Sequence, residues 1–478
     1  MAARDVRHKP PPSDRARSDA RNGRARQAAR YQPLPTGTHG LDPELVRRDQ
    51  RERLQTALVE LVAEKGYAAV RIIDLAKLAH VSQPTFYSLF ADKESLFLSA
   101  YDEVAARTAK AVDEAYQADG TSDQRLLAAM RAFAGLAVAE PDGTSLLVLG
   151  AFGAGTKALE RRRRTLKELK RSIYAREAAR ADPADLTVRF VLGGVREVAA
   201  SRLRSGRAAE LGALADELSA WAACYPRRLP GGVDAPRTTP RDASGSRTAL
   251  ASERARRAEG RLPSGRSDLP RQFIVKSQQE RIVDATAAIV AEKGLAALTI
   301  PEIARRANVS HQTFYAIYAS KEEAFLGAQK VGMHQALRIA VEAYQGEAAD
   351  WPRAVAAGTR ALTDYLASEP AHAHLTLVDT FAACPQAIEI RDAGMHAFAT
   401  YLEPGYELNP AGGSVPPIAA EAIVGGIWQV LYDYIEDDCI DELRGTAPQL
   451  AYLALTPFLG PEEAALVARQ SAAALASA

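Results

Sequence analysis

An all-α fold is what this sequence predicts, on three observations. Ala, Leu, Glu and Arg crowd long stretches while aromatics make up only 6% of residues and β-branched runs are few, a composition that favours helix over sheet. Apolar residues recur at helical spacing, as Leu54, Leu58, Leu61 and Val62 do at i, i+4, i+7 and i+8. Finally, a block of about fifty residues occurs twice. Residues 50–98 (QRERLQTALVELVAEKGYAAV … VSQPTFYSLFADKESLFL) return as 278–326 (QQERIVDATAAIVAEKGLAAL … VSHQTFYAIYASKEEAFL), at a constant offset of 228, Gly294 minus Gly66. Self-similarity of that kind dictates the parsing: two consecutive modules, each with a helical head and a helical body. A chain of 478 residues with 47% apolar content has enough material for a core in each half.

In chain order, residues 1–45 are rich in Arg, Pro and Gly with little to bury, so a disordered basic tail is expected. The first head follows over 46–98. Its first helix carries the Leu54 stripe, echoed by Ile282, Ile289 and Val290, and ends at AEKG, where Gly66 or Gly294 supplies a left-handed cap. IDLAKLA and PEIARRA form a short second helix, with Pro301 tolerated in a first turn. The turns His80-Val81-Ser82 and Asn308-Val309-Ser310 place a residue that tolerates positive φ before a Ser that can cap the next helix.

That third helix is QPTFYSLF in one copy and HQTFYAIY in the other. Phe86 and Phe90, or Phe314 and Tyr318, sit at i and i+4 and glue one face to the head. The opposite face carries Gln83, Thr85, Tyr87 and Ser88, or His311, Gln312, Thr313, Tyr315 and Ala316, and no carboxylate. A helix entering a groove lined by phosphates needs such a face, because Asp or Glu there would be repelled. Lys93 and Lys321 open a fourth helix capped by Asp92 and Ser320, the latter with Glu323 in a capping-box pattern.

Both blocks resemble the DNA-binding heads of TetR-family transcriptional regulators, whose signature is A-x-x-A-(G/N)-V-S-x-x-T-x-Y-x-x-F-x-x-K-E-x-L. Ala76, Ala79, Val81, Ser82, Thr85, Tyr87, Phe90, Lys93, Glu94 and Leu96 match it in the first block. Ala304, Ala307, Val309, Ser310, Thr313, Tyr315, Lys321 and Glu322 match in the second. His80, Ala324 and Tyr318 depart from the pattern without breaking its packing logic, although the Tyr318 hydroxyl needs a partner if buried. The resemblance implies that Gln83, with Pro84 or Ser88, reads base edges in one head, and that His311 and Gln312, with Ala316 beside them, do so in the other. It further implies that Thr85, Tyr87, Lys93, Thr313, Tyr315 and Lys321 hold the phosphate backbone. Because SQPTFYS and SHQTFYA differ, the two heads are not the same reader.

Residues 99–226 and 327–478 are the helical bodies, which the resemblance assigns to effector binding and dimerisation, with residues 227–271 as a flexible linker and 272–326 as the second head. Leu192-Gly193-Gly194-Val195 is echoed by Val424-Gly425-Gly426-Ile427. Paired glycines inside a helix cost roughly 1 kcal/mol each, so they make sense where two helices come close; the dimer or pseudo-dimer interface or the effector pocket is their expected place, and a local kink is the other reading. Candidate effector-pocket aromatics are Phe152, Tyr174 and Phe190 in the first body and Phe381, Tyr401, Trp428 and Tyr432 in the second. The run Arg161 to Arg164 reads as a solvated helix face.

Other chemistries find little support. Cys224, Cys384 and Cys439 are odd in number and widely spaced, and His372 and His374 at i and i+2 do not share a helix face, so neither disulfide framework, metal site nor cofactor is expected. No nucleophile elbow, P-loop or dinucleotide fingerprint occurs, which excludes the common enzyme classes. No apolar run of membrane-spanning length exists and MAARDVRHKP lacks a hydrophobic core, so a cytoplasmic protein is expected. The net charge of +1 argues neither way, since its distribution matters more than its sum.

The partners implied are double-stranded DNA and a small-molecule effector. Two modules in one chain suggest a covalent pseudo-dimer on an asymmetric operator, repressing until an apolar small molecule releases it. A tether of about 44 residues has a coil span of roughly 35–40 Å, comparable to the spacing of adjacent half-sites at about 34–36 Å. The alternatives are a homodimer in which only one head reads DNA and the other module senses or dimerises, and a sequence-tolerant architectural binder.

Overall fold

The computed structural model describes residues 42–117, 119–177, 185–226, 270–408 and 415–476, and among them there is helix but no strand. The predicted tail and linker lie outside the described residues except at their inner ends, where the first helix opens at Pro43 behind Asp42 and the second head at Arg271. The chain divides into two compact units, 1–105 and 106–478.

In the first unit, α1 (Pro43–Ala69), α2 (Ile72–Leu78), α3 (Gln83–Leu89) and the start of α4 (Lys93–Tyr116) close over Leu54, Leu58, Leu75, Phe86, Leu96 and Phe97, all buried. Gly66 does break α1, but with φ 75° and ψ 152°. Gly294 has φ 78° and ψ 166°. Neither is the left-handed helical cap expected from the sequence. Both occupy a region of positive φ and extended ψ that is essentially confined to glycine. After this break a further turn of helix follows in the first copy, and a 3₁₀ turn, Leu295–Ala297, in the second.

The second unit begins with the first body: α5 (Ser122–Ala139), α6 (Pro141–Val148), α7 (Thr156–Glu177), α8 (Asp185–Arg204) and α9 (Leu211–Ala223). The second head repeats the first as α10 (Arg271–Lys293), α11 (Ile300–Ala307), α12 (His311–Ile317) and the start of α13 (Lys321–Gly346). The second body adds α14 (Trp351–Ser368), α15 (Pro370–Leu377), α16 (Thr380–Ala383), α17 (Pro385–Thr400), α18 (Ala419–Glu436), α19 (Leu443–Leu459) and α20 (Pro461–Ala476). Ala371 and Leu375 of α15 share a core with Ile282, Ile289, Phe314 and Phe325, so the second head is seated on its own body.

The two bodies meet along α8 and α18, with α9 and α19 flanking them. These helix pairs are themselves a repeat: a 3₁₀ turn precedes α9 at Ala208–Glu210 and α19 at Ile440–Glu442, an offset of 232 (440 minus 208).

Candidate nucleic-acid interface and effector cavity

Each third helix is built identically. Ser82 accepts from the Thr85 N–H and shares a 2.8 Å hydrogen bond with the Thr85 hydroxyl. Ser310 does the same with Thr313, at 3.0 and 2.9 Å. His80 (φ 52°) and Asn308 (φ 51°) take the left-handed conformation that the tight turn demands. Phe86 and Phe314 are fully buried and pin the inner face. Gln83, Pro84, Tyr87 and Ser88 are exposed, as are His311, Gln312, Tyr315 and Ala316, while Thr85 and Thr313 are half-buried. Each outer face is therefore polar, accessible and without a carboxylate. Tyr87 and Tyr315 lean edge-on against Phe86 and Phe314, with ring centroids 5.3 and 5.7 Å apart, which fixes the rings and leaves the hydroxyls outward.

Lys93 is turned away from that surface. Its ammonium donates to the carbonyls of Val70 (2.8 Å) and Tyr67 (2.9 Å) and lies over the Tyr67 ring, and burial pushes its pKa below the usual lysine value. It satisfies carbonyls at the kinked end of α1, so the geometry departs from the phosphate contact expected of it. Lys321 is half-buried at the matching corner.

Three supports at matching positions in the two heads join residues distant in the chain and were not foreseen. Arg53 reaches the Ala79 carbonyl at 2.5 Å, and its counterpart Arg281 reaches that of Asn308 at 3.3 Å, each tying the first helix to the turn. Lys65 and Lys293, the lysines of AEKG, pair with Asp74 (3.0 Å) and Glu302 (2.8 Å). Hydrogen bonds from Arg305 and Lys293 pull the Glu302 pKa down to about 2. Third, Arg51 lies over the Phe90 ring in one head, and in the other its counterpart Gln279 approaches the Tyr318 hydroxyl at 3.5 Å. The expected capping box is modified: Glu323 accepts from the Ala319 N–H, not from Ser320.

The paired glycines lie where α8 crosses α18. A Cβ on Gly193 would meet Gln429 at 2.3 Å, and one on Gly425 would meet Glu197 at 2.5 Å. A Cβ on Gly194 would meet the Ala422 carbonyl at 2.4 Å, and one on Gly426 the Phe190 carbonyl at 2.7 Å. With the 232-residue offset these contacts are reciprocal: Gly193 is to Gln429 as Gly425 is to Glu197. The contacts on the two sides of the crossing are thus related by the internal repeat.

Arginines brace the same crossing, which corrects the reading of Arg161 to Arg164 as a solvated face at Arg162, while Arg163 and Arg164 are exposed. Arg162 is buried, donates to Gln429 at 3.3 Å and lies over the Tyr432 ring, and Arg163 pairs with Glu436. Arg391 on α17 grips Glu197 with both terminal guanidinium nitrogens, one at 2.9 Å, and lies over the rings of Phe381 and Trp428. Burial opposes the Glu197 charge, but Arg391, with Arg204 and Arg196 behind it, outweighs burial and holds the carboxyl well below the usual range. Burial, reinforced by Arg162, pushes Arg196 down to about 9. Arg202 adds a two-pronged bond to Glu421 at 2.7 and 2.8 Å.

Of the aromatics proposed for an effector pocket, Tyr401 and Trp428 line a cavity of about 110 Å³ inside the second body. Phe190 instead packs with Trp221 and Tyr225 beneath Gly426, while Phe381 and Tyr432 support arginines. The side chains of Phe152 and Tyr174 lie outside the described residues. The cavity walls come from α13, α14, α15, α17, α18 and α19 and are mostly apolar. His372 and Thr376 also reach it, which the sequence reading missed. The signal was Asp284, a carboxylate inside the apolar run IVDATAAIV, whose Oδ1 lies 3.2 Å from His372 Nε2. His374 pairs separately with Asp379 at 2.7 Å, and among the described residues no cluster suits a metal ion. All three cysteines are free. No described helix is long and apolar enough to cross a membrane.

The model of the bacterial regulatory proteins of the tetR family matches residues 55–100 and again residues 282–327. The HTH-type transcriptional regulator EthR of Mycolicibacterium smegmatis is 32% identical over 111 residues, 23% of this chain and 44% of that protein. The HTH-type transcriptional activator FasR of the same organism is 30% identical over 121 residues, 25% of this chain and 52% of that protein. The chain thus spans about half the length of these curated relatives, both of which are transcriptional regulators. Among solved structures, the transcriptional regulator FadR from Bacillus subtilis in complex with stearoyl-CoA aligns at 18% identity and a TM-score of 0.33, over 36% of this chain and 96% of that one.

Proposed function

We propose that this chain, which carries the tetR-family domain twice, is a sequence-specific DNA-binding transcriptional regulator whose halves pair with each other on an asymmetric operator. The observation that carries this is the duplicated outer face of α3 and α12, accessible, polar and free of carboxylate. Gln83, Pro84 and Ser88 read bases from one head and His311, Gln312 and Ala316 from the other, while Thr85, Tyr87, Thr313 and Tyr315 hold phosphates. The reciprocal glycine contacts of α8 and α18 support pairing within the chain, and tethering raises the effective concentration of one half near the other to about millimolar. An apolar small molecule in the cavity of the second body releases the DNA.

Selection from a randomised duplex pool with the full chain tests this. Enrichment of two unlike half-sites about one helical turn apart, bound by one chain, is expected. A perfect palindrome bound by two chains would overturn pairing within the chain, and no enrichment would overturn sequence-specific binding.

A further inference from the structure

We infer that the cavity of the second body takes an apolar small molecule bearing one hydroxyl, which His372 and Thr376 read and Asp284 reports to the second head. This deepens the regulator reading and rests on it for the reporting step.

The walls are mostly apolar, and beside Gly332 two buried polar atoms, His372 Nδ1 and Thr376 Oγ1, have no partner among the described residues; a third lining atom in the same state, Trp428 Nε1, can only donate. Exposure is 1% for His372 and 4% for Thr376. Leaving such atoms unsatisfied is costly, and a ligand that bonds to them recovers that cost. Gly332 on α13 keeps the space open, since a Cβ there would stand 2.6 Å from Thr376 Oγ1 and 3.6 Å from His372 Nδ1. The carboxylate of Asp284 at Nε2 draws the ring proton to that nitrogen and leaves Nδ1 a lone pair. The site therefore asks for a ligand O–H that donates to Nδ1 while its oxygen accepts from Thr376, and a hydroxyl does both.

Asp284 makes the site a reporter. It lies on α10, the first helix of the second head, between Val283 and Ala285, which share a core with Phe314 of α12. A ligand that reorients the imidazole acts on that helix through one hydrogen bond.

None of these residues has a like counterpart in the first module. Thr56 and Val104 stand in register with Asp284 and Gly332 at the offset of 228 (284 minus 56). Gly143 and Leu147 stand in register with His372 and Thr376 when Glu140-Pro141 is aligned with Glu369-Pro370, an offset of 229 (370 minus 141). The hydroxyl reader belongs to the second module.

Calorimetric titration of the full chain with 1-hexanol to 1-dodecanol, and with the methyl ether of the tightest binder, tests the site. The ether can accept but not donate, so it should bind at least about tenfold more weakly to the native protein. His372→Leu should abolish that preference. Thr376→Val, which preserves shape, should weaken alcohol and ether alike, so the outcome does not depend on the histidine variant folding. Equal binding of alcohol and ether, or of neither, overturns the hydroxyl site. For the reporting step, the alcohol should weaken binding to a selected duplex at least about fivefold in the native protein and not in Asp284→Ala. An unchanged response in Asp284→Ala overturns the relay. Absence of any selective duplex overturns the regulator reading and the relay with it, while the titration still judges the site.

Discussion

Tyr87 and Tyr315 remain 56% and 58% exposed although each ring rests on a buried phenylalanine, an arrangement that costs apolar exposure and fixes a hydroxyl outward. Replacing either by Phe should weaken DNA binding by ~1 kcal/mol, about fivefold, across all sequences, whereas changing Gln83 or Gln312 should alter preference at particular base pairs. Equal affinity of both tyrosine variants and the native chain, measured on several duplexes, would remove the phosphate assignment. Lys93→Met belongs to a different class: it strands the Tyr67 and Val70 carbonyls, so a lower melting temperature should accompany any loss of binding. The difference marks what a sequence shows at this scale. The positive φ of His80 and Asn308 was legible because turn, cap and helix are neighbours in the chain. The inward turn of Lys93 was not, because its acceptors lie 23 and 26 residues away.

Among the elements, α8 and α18 approach closely enough that glycine is a packing requirement. Gly194→Ala sets two effects against each other. Helix propensity gains about 1 kcal/mol, while a Cβ 2.4 Å from the Ala422 carbonyl and 2.5 Å from the Trp221 ring forces the helices apart, at about 1–3 kcal/mol. Both clashing groups are rigid, so overpacking should win and the unfolding midpoint should fall. A rise would mean that the helices are not held this close. Glycine pairs point to such a crossing from sequence, with a local kink as the other reading, and the Cβ distances decide for the crossing. Arg162 does not announce itself: within RRRR it looks solvated, and its partner Gln429 lies 267 residues on.

For the molecule as a whole, the joint between the bodies is charged as well as close, and pH should act on it. The folded pKa of Glu197 is depressed, so its stabilisation is fully present above the unfolded carboxylate value of about 4.3 and is lost as pH falls from there through the folded value. Denaturant midpoints should therefore drop below about pH 4.5 more steeply in the native chain than in Glu197→Gln, which should itself be less stable at neutral pH by about 3 kcal/mol. Parallel pH profiles would show that the pair is not a source of acid sensitivity.

Around the same joint, α7 and α17 are in register at 229 residues (385 minus 156), so Arg162 and Arg391 occupy matching places. One meets an amide and the other an acid. A gene encoding identical subunits writes every change on both sides of its axis at once, and cannot place Gln on one and Glu on the other. Joined in a single reading frame, each side is inherited separately, so one half of this protein is free to diverge without imposing the same alteration on its counterpart.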